Sequence, residues 1–445
     1  MRTEFVVVGA GHGGLVAGAK LAKRGFEVIC IEKNNRDNLS WDWKDCFDFE
    51  VFDRIDIPKP DPTEYVVPEN FRFFSPNEKY SIPIDVLPEK REKSMERRVL
   101  LEKLVNHAIE CGVEFQFSQE VSGPIIERGK ILGIKVGEEN YYADMIIDSA
   151  GFSTPIRPNL PQAYKIPKKL TTGEYFHTYR GYFNKKRDKS FWDIIIGYQD
   201  KRGIAWINTS ENVADILIGS IYPFERDEIN DLLENLRFKY PIIGDELLRG
   251  GQVEIIPIRR PLEKLVGNNY AVVGDAACMT NPINGAGIAN AIFAGDILAN
   301  TIINGHESSE DPYTTENLWP YQVEYNREKG AEQGNIEILK NFLITMDNFD
   351  NIDFLFKNEI LSPRDLEASI LGQEMKLGFI ETIKRALRGI TRIGLLLELS
   401  NTLKKAKKVR DHYLDTPWSY NKADYSEWKK KLDKYFKPFY KKLQT

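Results

Sequence analysis

The start of the chain shows two short apolar runs on either side of a helical pattern. Residues 5–8 are phenylalanine and valine, and residues 27–31 form a second run rich in valine and isoleucine. Between them, residues 15–24 show helical periodicity with small side chains on one face, and Gly25 follows as a helix-ending residue. Short β-branched runs are typical of buried parallel strands. The pattern therefore predicts a strand–helix–strand unit.

The rest of the chain changes from predicted strands in its middle to predicted helices near its end. Residues 35–95 lack regular periodicity, apart from an antiparallel hairpin predicted over residues 71–83. Further strands are predicted within residues 113–147, 173–223 and 270–273, and helices at residues 96–111, 226–240 and from residue 285 onward. This order indicates an α/β chain with a separate antiparallel region and a helical C-terminal region.

Composition excludes several classes of protein. The chain has 445 residues, of which 42% are hydrophobic and 29% charged, so it can build a folded core. A net charge of −5 gives no indication of nucleic-acid binding. Four widely separated cysteines argue against a disulfide scaffold, a zinc ribbon or an iron–sulfur cluster, and they are Cys30, Cys46, Cys111 and Cys278. With no signal peptide or membrane span in the pattern, we expect a cytoplasmic protein.

Gly9, Gly11 and Gly14 form a G-x-G-x-x-G motif between the first predicted strand and helix. Such glycines permit a tight turn, the approach of a pyrophosphate, and close packing of helix on strand. The helix N-terminus presents free N–H groups to the phosphates. Glu32 ends the second predicted strand, where its carboxylate can accept hydrogen bonds from the ribose hydroxyls of an adenosine. The motif predicts dinucleotide binding without deciding between NAD and FAD.

A second group of residues favours FAD. Gly274 and Asp275 end a late predicted strand, where an acidic side chain can bind a ribityl hydroxyl. The next helix is preceded by Pro282, Gly285 and Gly287 and opens with Ile288. Its N–H groups and dipole can bind the N1/C2=O edge of a flavin and the anion that forms there on reduction. A dinucleotide that spans the fold needs such contacts far from the first glycine motif, so we predict FAD as the cofactor.

Residues 274–296 resemble the G-D-A-A…N-P-x-x-G-x-G-I block of the geranylgeranyl reductase family, in the p-hydroxybenzoate hydroxylase-like superfamily. Residues 148–153 resemble the family's D-A-S/T-G-x-x-S segment, and Arg97 resembles its flavin-contacting arginine. The resemblance covers nearly the whole chain. It implies an FAD-dependent oxidoreductase that reduces carbon–carbon double bonds of a hydrophobic substrate, such as an isoprenoid lipid, by hydride transfer from flavin N5.

The resemblance also implies two residues at the reaction site. Cys46 lies where the family has an active-site cysteine, and it is a candidate proton donor. Trp206 matches one position of the family's Y-x-W-x-F-P stretch, which lines the substrate cavity, although the rest of that stretch differs here. The five histidines show no metal-binding spacing.

These observations together predict an α/β fold in three parts. Residues 1–55, 95–160 and 250–305 are expected to form a discontinuous, Rossmann-like FAD-binding domain. Residues 56–94 and 161–249 are expected to form an inserted antiparallel β substrate domain, and residues 306–445 a C-terminal helical region. Two other functions share these motifs: a flavin-dependent monooxygenase or halogenase-like enzyme, and a non-catalytic binding protein for a prenylated partner.

Partners follow from what the sequence lacks and from its charge. There is no second G-x-G-x-x-G motif after a strand, so we expect electrons from directly docked NAD(P)H or from a ferredoxin-type protein. Residues 401–445 carry a net charge of +8 with interleaved aromatics, which fits surface helices, an anionic membrane surface or an acidic redox partner. Pro438 is expected to break the last helix.

Overall fold

The computed structural model describes residues 1–68, 71–85, 91–209, 211–370, 388 and 390–443, which form three β-sheets and surrounding helices. The strands are β1 (Arg2–Val8), β2 (Val28–Ile31), β3 (Lys44–Phe47), β4 (Tyr65–Val66), β5 (Phe71–Phe74), β6 (Ser81–Ile84), β7 (Lys93–Glu96), β8 (Glu114–Gln116), β9 (Val121–Glu127), β10 (Lys130–Val136), β11 (Glu139–Asp148), β12 (Tyr175–Lys185), β13 (Trp192–Ile196), β14 (Gly203–Asn208), β15 (Val213–Ser220), β16 (Ile243–Pro257), β17 (Val266–Gly267) and β18 (Tyr270–Val272). The helices are α1 (His12–Lys23), α2 (Arg97–Glu110), α3 (Glu228–Lys239), α4 (Ile288–Ser308), α5 (Thr315–Tyr325), α6 (Ala331–Ile344), α7 (Asp350–Lys357), α8 (Pro363–Ile370), α9 (Ile393–Leu414) and α10 (Lys422–Leu443).

The first sheet has the strand order β17–β18–β11–β1–β2–β8, and β18, β11, β1, β2 and β8 run parallel. Val8 pairs with both Ile31 and Asp148, and Asp148 pairs with Val272. The carboxyl ends of four strands therefore meet at one edge, which is where open α/β sheets bind ligands. This sheet confirms the predicted strand–helix–strand unit and the α/β class.

Small residues on α1 allow it to pack closely against α4. A Cβ added to Gly295 of α4 would lie 2.2 Å from the carbonyl oxygen of Gly13 on α1. Any larger side chain would force the two helices apart, since real Cβ contacts are never this short. Gly13 and Gly295 therefore form the close contact of the two helices, whereas Gly18, on the predicted small-residue face, lies against Val7 and Val28 of the sheet.

The second sheet has the order β16–β12–β15–β14–β13–β5–β6, and all its pairs are antiparallel except β13–β5. Strands β5 and β6 form the hairpin predicted over residues 71–83. The long strand β16 pairs with β12 from Ile243 to Pro257 and leads the chain back to the first sheet. The third sheet is small and antiparallel, with the order β3–β7–β4.

Helices α4 to α10 close the fold around a network of buried charges. Arg259, after β16, contacts Glu174 at 2.9 Å and Glu263 at 2.6 Å. Arg260 contacts Glu263 at 2.6 Å and Glu337 of α6 at 3.1 Å. These five acidic and basic residues are almost fully buried, and Glu337 is completely inaccessible to solvent. Their opposite charges compensate one another for the loss of hydration.

Helix α10 is continuous through Pro438, so the prediction of a helix break was wrong. Proline removes one backbone hydrogen bond, but packing of the same turns outweighs this loss. Phe436 is 1% exposed and lies under the Arg260 guanidinium, 3.8 Å from its carbon to the ring centre. The Tyr440 hydroxyl donates a hydrogen bond to Glu337. The aromatic residues of the tail therefore anchor α10 to the body of the protein.

Within the residues that the structure describes, no helix combines the length and the apolar character that crossing a membrane requires.

Removing one partner of the buried network should strongly destabilise the fold. Glu337→Ala leaves the Arg260 charge buried with one partner fewer, so we expect the free energy of unfolding to fall by about 3–5 kcal/mol. Glu332→Ala on the same helix breaks a partly exposed pair with Arg410 and should cost less than about 1 kcal/mol. Urea unfolding followed by circular dichroism measures both, and equal losses would contradict the assigned role of the network.

Candidate active site

A cavity of about 820 Å³ lies between the carboxyl edge of the first sheet, the second sheet and helix α6. One end is formed by backbone loops that follow the parallel strands, and the other end by apolar side chains of the second sheet. Most of the predicted site residues line it: Gly9, Gly11, Glu32, Cys46, Arg97, Trp206, Gly274, Asp275, Gly285, Gly287 and Ile288. Gly14 and Pro282 lie behind the lining.

The glycine loop has a shape that only glycine permits. Gly9 has a φ of +85°, and a Cβ there would lie 2.8 Å from the Cα of Ala150. A Cβ on Gly11 would lie 2.5 Å from the Ser149 hydroxyl oxygen. Gly14 donates its N–H to the same hydroxyl at 3.1 Å, so its role is to fix the glycine loop on the segment that follows β11. The N-terminus of α1 is thereby left facing the cavity, without a side-chain cap.

Glu32 is held in place by two backbone N–H groups. Its Oε2 accepts from Ala10 at 2.8 Å and its Oε1 from Asn34 at 2.8 Å. The side chain is almost buried yet borders the cavity. Each carboxylate oxygen keeps a second lone pair, which suits it to accept hydrogen bonds from the two hydroxyls of a ribose.

The loop before α4 forms the opposite wall of the same end. Gly274 opens a short 3-10 turn with a φ of +70°, and burial raises the pKa of the neighbouring Asp275. A Cβ on Gly287 would lie 3.2 Å from Asp275 Oδ1. Gly287 provides no side-chain cap, so the N–H groups at the start of α4 are open to a ligand.

A partly buried charge pair that the sequence did not indicate lies between these walls. The Nε of Arg97 donates to Asp45 Oδ2 at 2.5 Å, and its guanidinium lies 4.7 Å from the ring centre of Trp41. Although burial opposes it, Arg97 holds the pKa of Asp45 below its usual range. Burial, followed by Arg97, lowers the pKa of His12 to about 3. The Nε2 atom of His12 is buried and has no hydrogen-bond partner in the described chain.

FAD fits this end of the cavity. Two uncapped helix N-termini, of α1 and α4, meet there with a carboxylate suited to ribose. The unpartnered Nε2 of His12, next to the glycine loop, is a buried polar atom that a ligand would satisfy. The N–H groups of α1 suit the pyrophosphate, and those of α4 suit the flavin edge. Glu32, Arg97 and Asp275 line this end and are the side chains that would hold the cofactor.

Cys46 lies on the small third sheet, opposite Ser94. Burial, followed by the nearby carboxylate of Glu92, raises the pKa of the Cys46 thiol to about 12. The thiol is therefore protonated at neutral pH, unlike a reactive, nucleophilic cysteine. Glu92 was missed by the sequence analysis because residues 35–95 lack a regular pattern.

Trp206 faces the cavity because of the alternation of strand β14. Residues Ala205 and Ile207 point into the core under α3, so Trp206 points to the opposite face. The guanidinium of Arg180 lies 5.0 Å from the Trp206 ring centre and forms two hydrogen bonds with Asp215, at 2.9 and 2.7 Å. This buried pair also escaped the sequence analysis, because its partners lie on separate strands.

The far end of the cavity is apolar. The same alternation turns Ile194 and Leu217 toward the cavity, while their neighbours Ile195 and Ile216 pack in the core. Phe71 and Trp192 extend this wall, and Leu343 of α6 closes it. A large apolar space that adjoins a charged, cofactor-sized cleft is suited to a hydrophobic substrate.

Sequence comparison finds related enzymes over the full length of the chain. A digeranylgeranylglycerophospholipid reductase of Sulfolobus acidocaldarius is 25% identical and aligns with 100% of this chain and 99% of its own length. Digeranylgeranylglycerophospholipid reductase 2 of Methanococcoides burtonii is 25% identical over 78% of this chain and 86% of its own.

Structural comparison supports the same fold. A geranylgeranyl bacteriochlorophyll reductase-like protein of Thermoplasma acidophilum superposes with a TM-score of 0.71, covering 90% of this chain and 99% of that protein at 21% identity. A flavin-dependent brominase superposes less closely, with a TM-score of 0.58 at 15% identity, covering 98% of this chain and all of the brominase. The predicted fold with an FAD-binding domain is confirmed.

A family model described as an FAD binding domain matches residues 2–316. The match spans both glycine-rich loops and the second sheet, and it confirms the predictions of FAD as cofactor and of an FAD-dependent oxidoreductase. The chain therefore belongs to the FAD binding domain family of flavoenzymes.

Proposed function

We propose that this protein is a reductase that saturates carbon–carbon double bonds of an isoprenoid lipid. The observation that carries the proposal is the single cavity of about 820 Å³ that joins the FAD-binding loops to an apolar wall. The named activity of the full-length relative from Sulfolobus acidocaldarius supports it. The bound flavin supplies hydride from N5 when it is reduced.

The chain's own residues have three tasks in this reaction. Glu32, Arg97 and Asp275 with the two helix N-termini fix the cofactor at the edge of the first sheet. Trp206 and the apolar wall place the alkene and exclude water from it. A protonated group beside the alkene gives a proton to the second carbon, and Cys46, whose thiol keeps its proton at neutral pH, is one such group.

The electron donor and the cellular location belong to the proposal as well. NAD(P)H or a ferredoxin-type protein would reduce the flavin, and the protein would act in the cytoplasm at the membrane surface. Tyr425, Trp428 and Phe436 pack inward, whereas Trp418 is 74% exposed, so a membrane contact would combine exposed lysines with few apolar side chains. Lys404, Lys407 and Lys408 are exposed on α9, and each lysine near an anionic surface contributes about 1 kcal/mol.

A monooxygenase or halogenase-like activity is the alternative, because the brominase shares the fold. Oxygen uptake that depends on both substrate and NAD(P)H would favour it over a reductase. Purified protein that takes up no FAD would instead favour a binding protein for a prenylated partner.

Loss of the ribose-binding carboxylate should weaken FAD binding. Glu32→Ala removes the acceptor for Ala10 N–H and for the ribose, so we expect the Kd for FAD to rise roughly 10- to 100-fold, the effect of one or two charged hydrogen bonds. Glu114→Ala, exposed on β8 of the same sheet, should bind FAD normally. Titration of apoprotein with FAD by flavin fluorescence distinguishes the two.

The reductase activity can be tested by single-turnover oxidation of the flavin. Protein reduced anaerobically with dithionite should be reoxidised by a geranylgeranyl glycerophospholipid in detergent, but not by its saturated counterpart. Failure of every unsaturated lipid to reoxidise the flavin would overturn the proposal.

Narrowing the apolar wall should slow this reaction. Leu217→Trp places a larger ring on the cavity face of β15, so we expect reoxidation at least about tenfold slower with unchanged FAD binding. Leu248→Trp is the matched control, because Leu248 is 48% exposed and outside the cavity lining. If the flavin is reoxidised at equal rates in the two variants, the substrate does not bind against the apolar wall.

Contact with a membrane through α9 would be electrostatic. The double variant Lys404→Glu, Lys408→Glu should lose binding to vesicles that contain anionic lipid, while single-turnover reduction in detergent remains unchanged. Co-sedimentation with the vesicles at low and high salt measures this binding. Vesicle binding that is insensitive to both salt and charge reversal would contradict a lysine-mediated contact.

A further inference from the structure

The third sheet presents a carboxyl group to the cavity beside Cys46. Cys46 on β3 pairs directly with Ser94 on β7, and Glu92 precedes Ser94 by two residues. Alternate residues of an extended chain point to the same side. Diagonal neighbours of an antiparallel pair have Cα atoms about 7–8 Å apart, within reach of a long side chain. All three residues line the cavity, so Glu92 and Cys46 form one edge of the substrate space.

The surroundings of Glu92 favour a protonated carboxyl. Asp48, which follows β3, places a like charge near it. Of the adjacent basic side chains, Arg91 pairs with Asp85 at 3.3 Å, and the Lys93 ammonium lies 5.3 Å from the ring centre of Phe49. In the described part of the chain, no ion pair of Glu92 is formed.

Two acids of unequal strength therefore share this wall. Burial, followed by Asp48, raises the pKa of Glu92 to about 7. Burial, followed by Glu92, raises the pKa of the Cys46 thiol to about 12, against the hydrogen bond with Ser94 and the charge of Arg180. The carboxyl is therefore the stronger acid of the two. General acids work best when their pKa lies near the operating pH.

We propose that Glu92 is the catalytic proton donor for double-bond reduction, because its carboxyl faces the substrate cavity next to Cys46 without a charge partner. This inference rests on the proposed function. One alkene carbon receives hydride from the reduced flavin, and the other receives the proton from the Glu92 carboxyl. The double bond becomes a single bond, the flavin is left oxidised, and the Glu92 carboxylate takes a new proton from water. NAD(P)H or a ferredoxin-type donor restores the reduced flavin.

Single-turnover reoxidation with a geranylgeranyl glycerophospholipid tests this role directly. Glu92→Gln keeps the shape of the side chain and removes the acid, so we expect reoxidation to slow by about 10²-fold or more, with FAD binding and reduction by dithionite unchanged. Glu50→Gln is the matched control, because Glu50 is exposed two residues after Asp48 and outside the cavity lining. A Glu92→Gln rate within threefold of the wild-type rate would overturn the proposal.

The pH profile gives a second test with the acid still present. The donor must be protonated, so the wild-type rate should be highest below pH about 7 and fall above it. Asp48→Asn keeps the helix-capping acceptor but removes the negative charge near Glu92. The midpoint of the rate–pH profile should therefore move to lower pH. Identical midpoints in Asp48→Asn and wild type would contradict a donor at Glu92.

Infrared difference spectroscopy separates this inference from the proposed function. The C=O stretch of a protonated carboxyl should appear as the pH falls through neutrality in wild type and Glu50→Gln, but not in Glu92→Gln. Its absence from wild type overturns the role of Glu92 even if the lipid is reduced. If the band is present but no unsaturated lipid reoxidises wild-type flavin, the proposed function fails and the donor role fails with it.

Discussion

The register of four parallel strands is the constraint on which the rest of this structure depends. Val8 pairs with Ile31 and Asp148, and Asp148 pairs with Val272, so four strands end at one level. The glycine loop, the ribose carboxylate and the loop before α4 are far apart in sequence but meet at that edge. If one strand shifted by one residue relative to its neighbours, its loop would move by about 3.3 Å and these groups would separate.

The second sheet supplies what the first sheet lacks, which is an apolar surface next to the cofactor. Strict alternation gives this sheet two faces, one packed under α3 and one open to the cavity. The Arg180–Asp215 pair lies on the open face, where the Arg180 guanidinium is 5.0 Å from the Trp206 ring centre. Mutual neutralisation of these charges keeps the wall compatible with an apolar ligand.

Local patterns in the sequence predicted much of the fold and the cofactor end of the site. Gly9, Glu32 and Asp275 follow apolar strands directly, so their placement depends only on the strand–helix–strand rule. Glu92 and Cys46 meet through strand pairing across a region without periodicity, and no local pattern indicates this. Pro438 was misjudged for the opposite reason, since buried aromatic contacts of α10 outweigh a local helix-breaking preference.

The buried charge network also has a consequence for how the chain acquires its structure. Arg259 and Arg260 are synthesised long before Glu337, and Phe436 and Tyr440 follow later still. Contacts between such distant segments form late and slowly. Until α10 docks, these arginines must stay hydrated. The cofactor domain and the helical region are therefore not yet packed together at this stage of folding. Docking of α10 is therefore the event that closes the molecule.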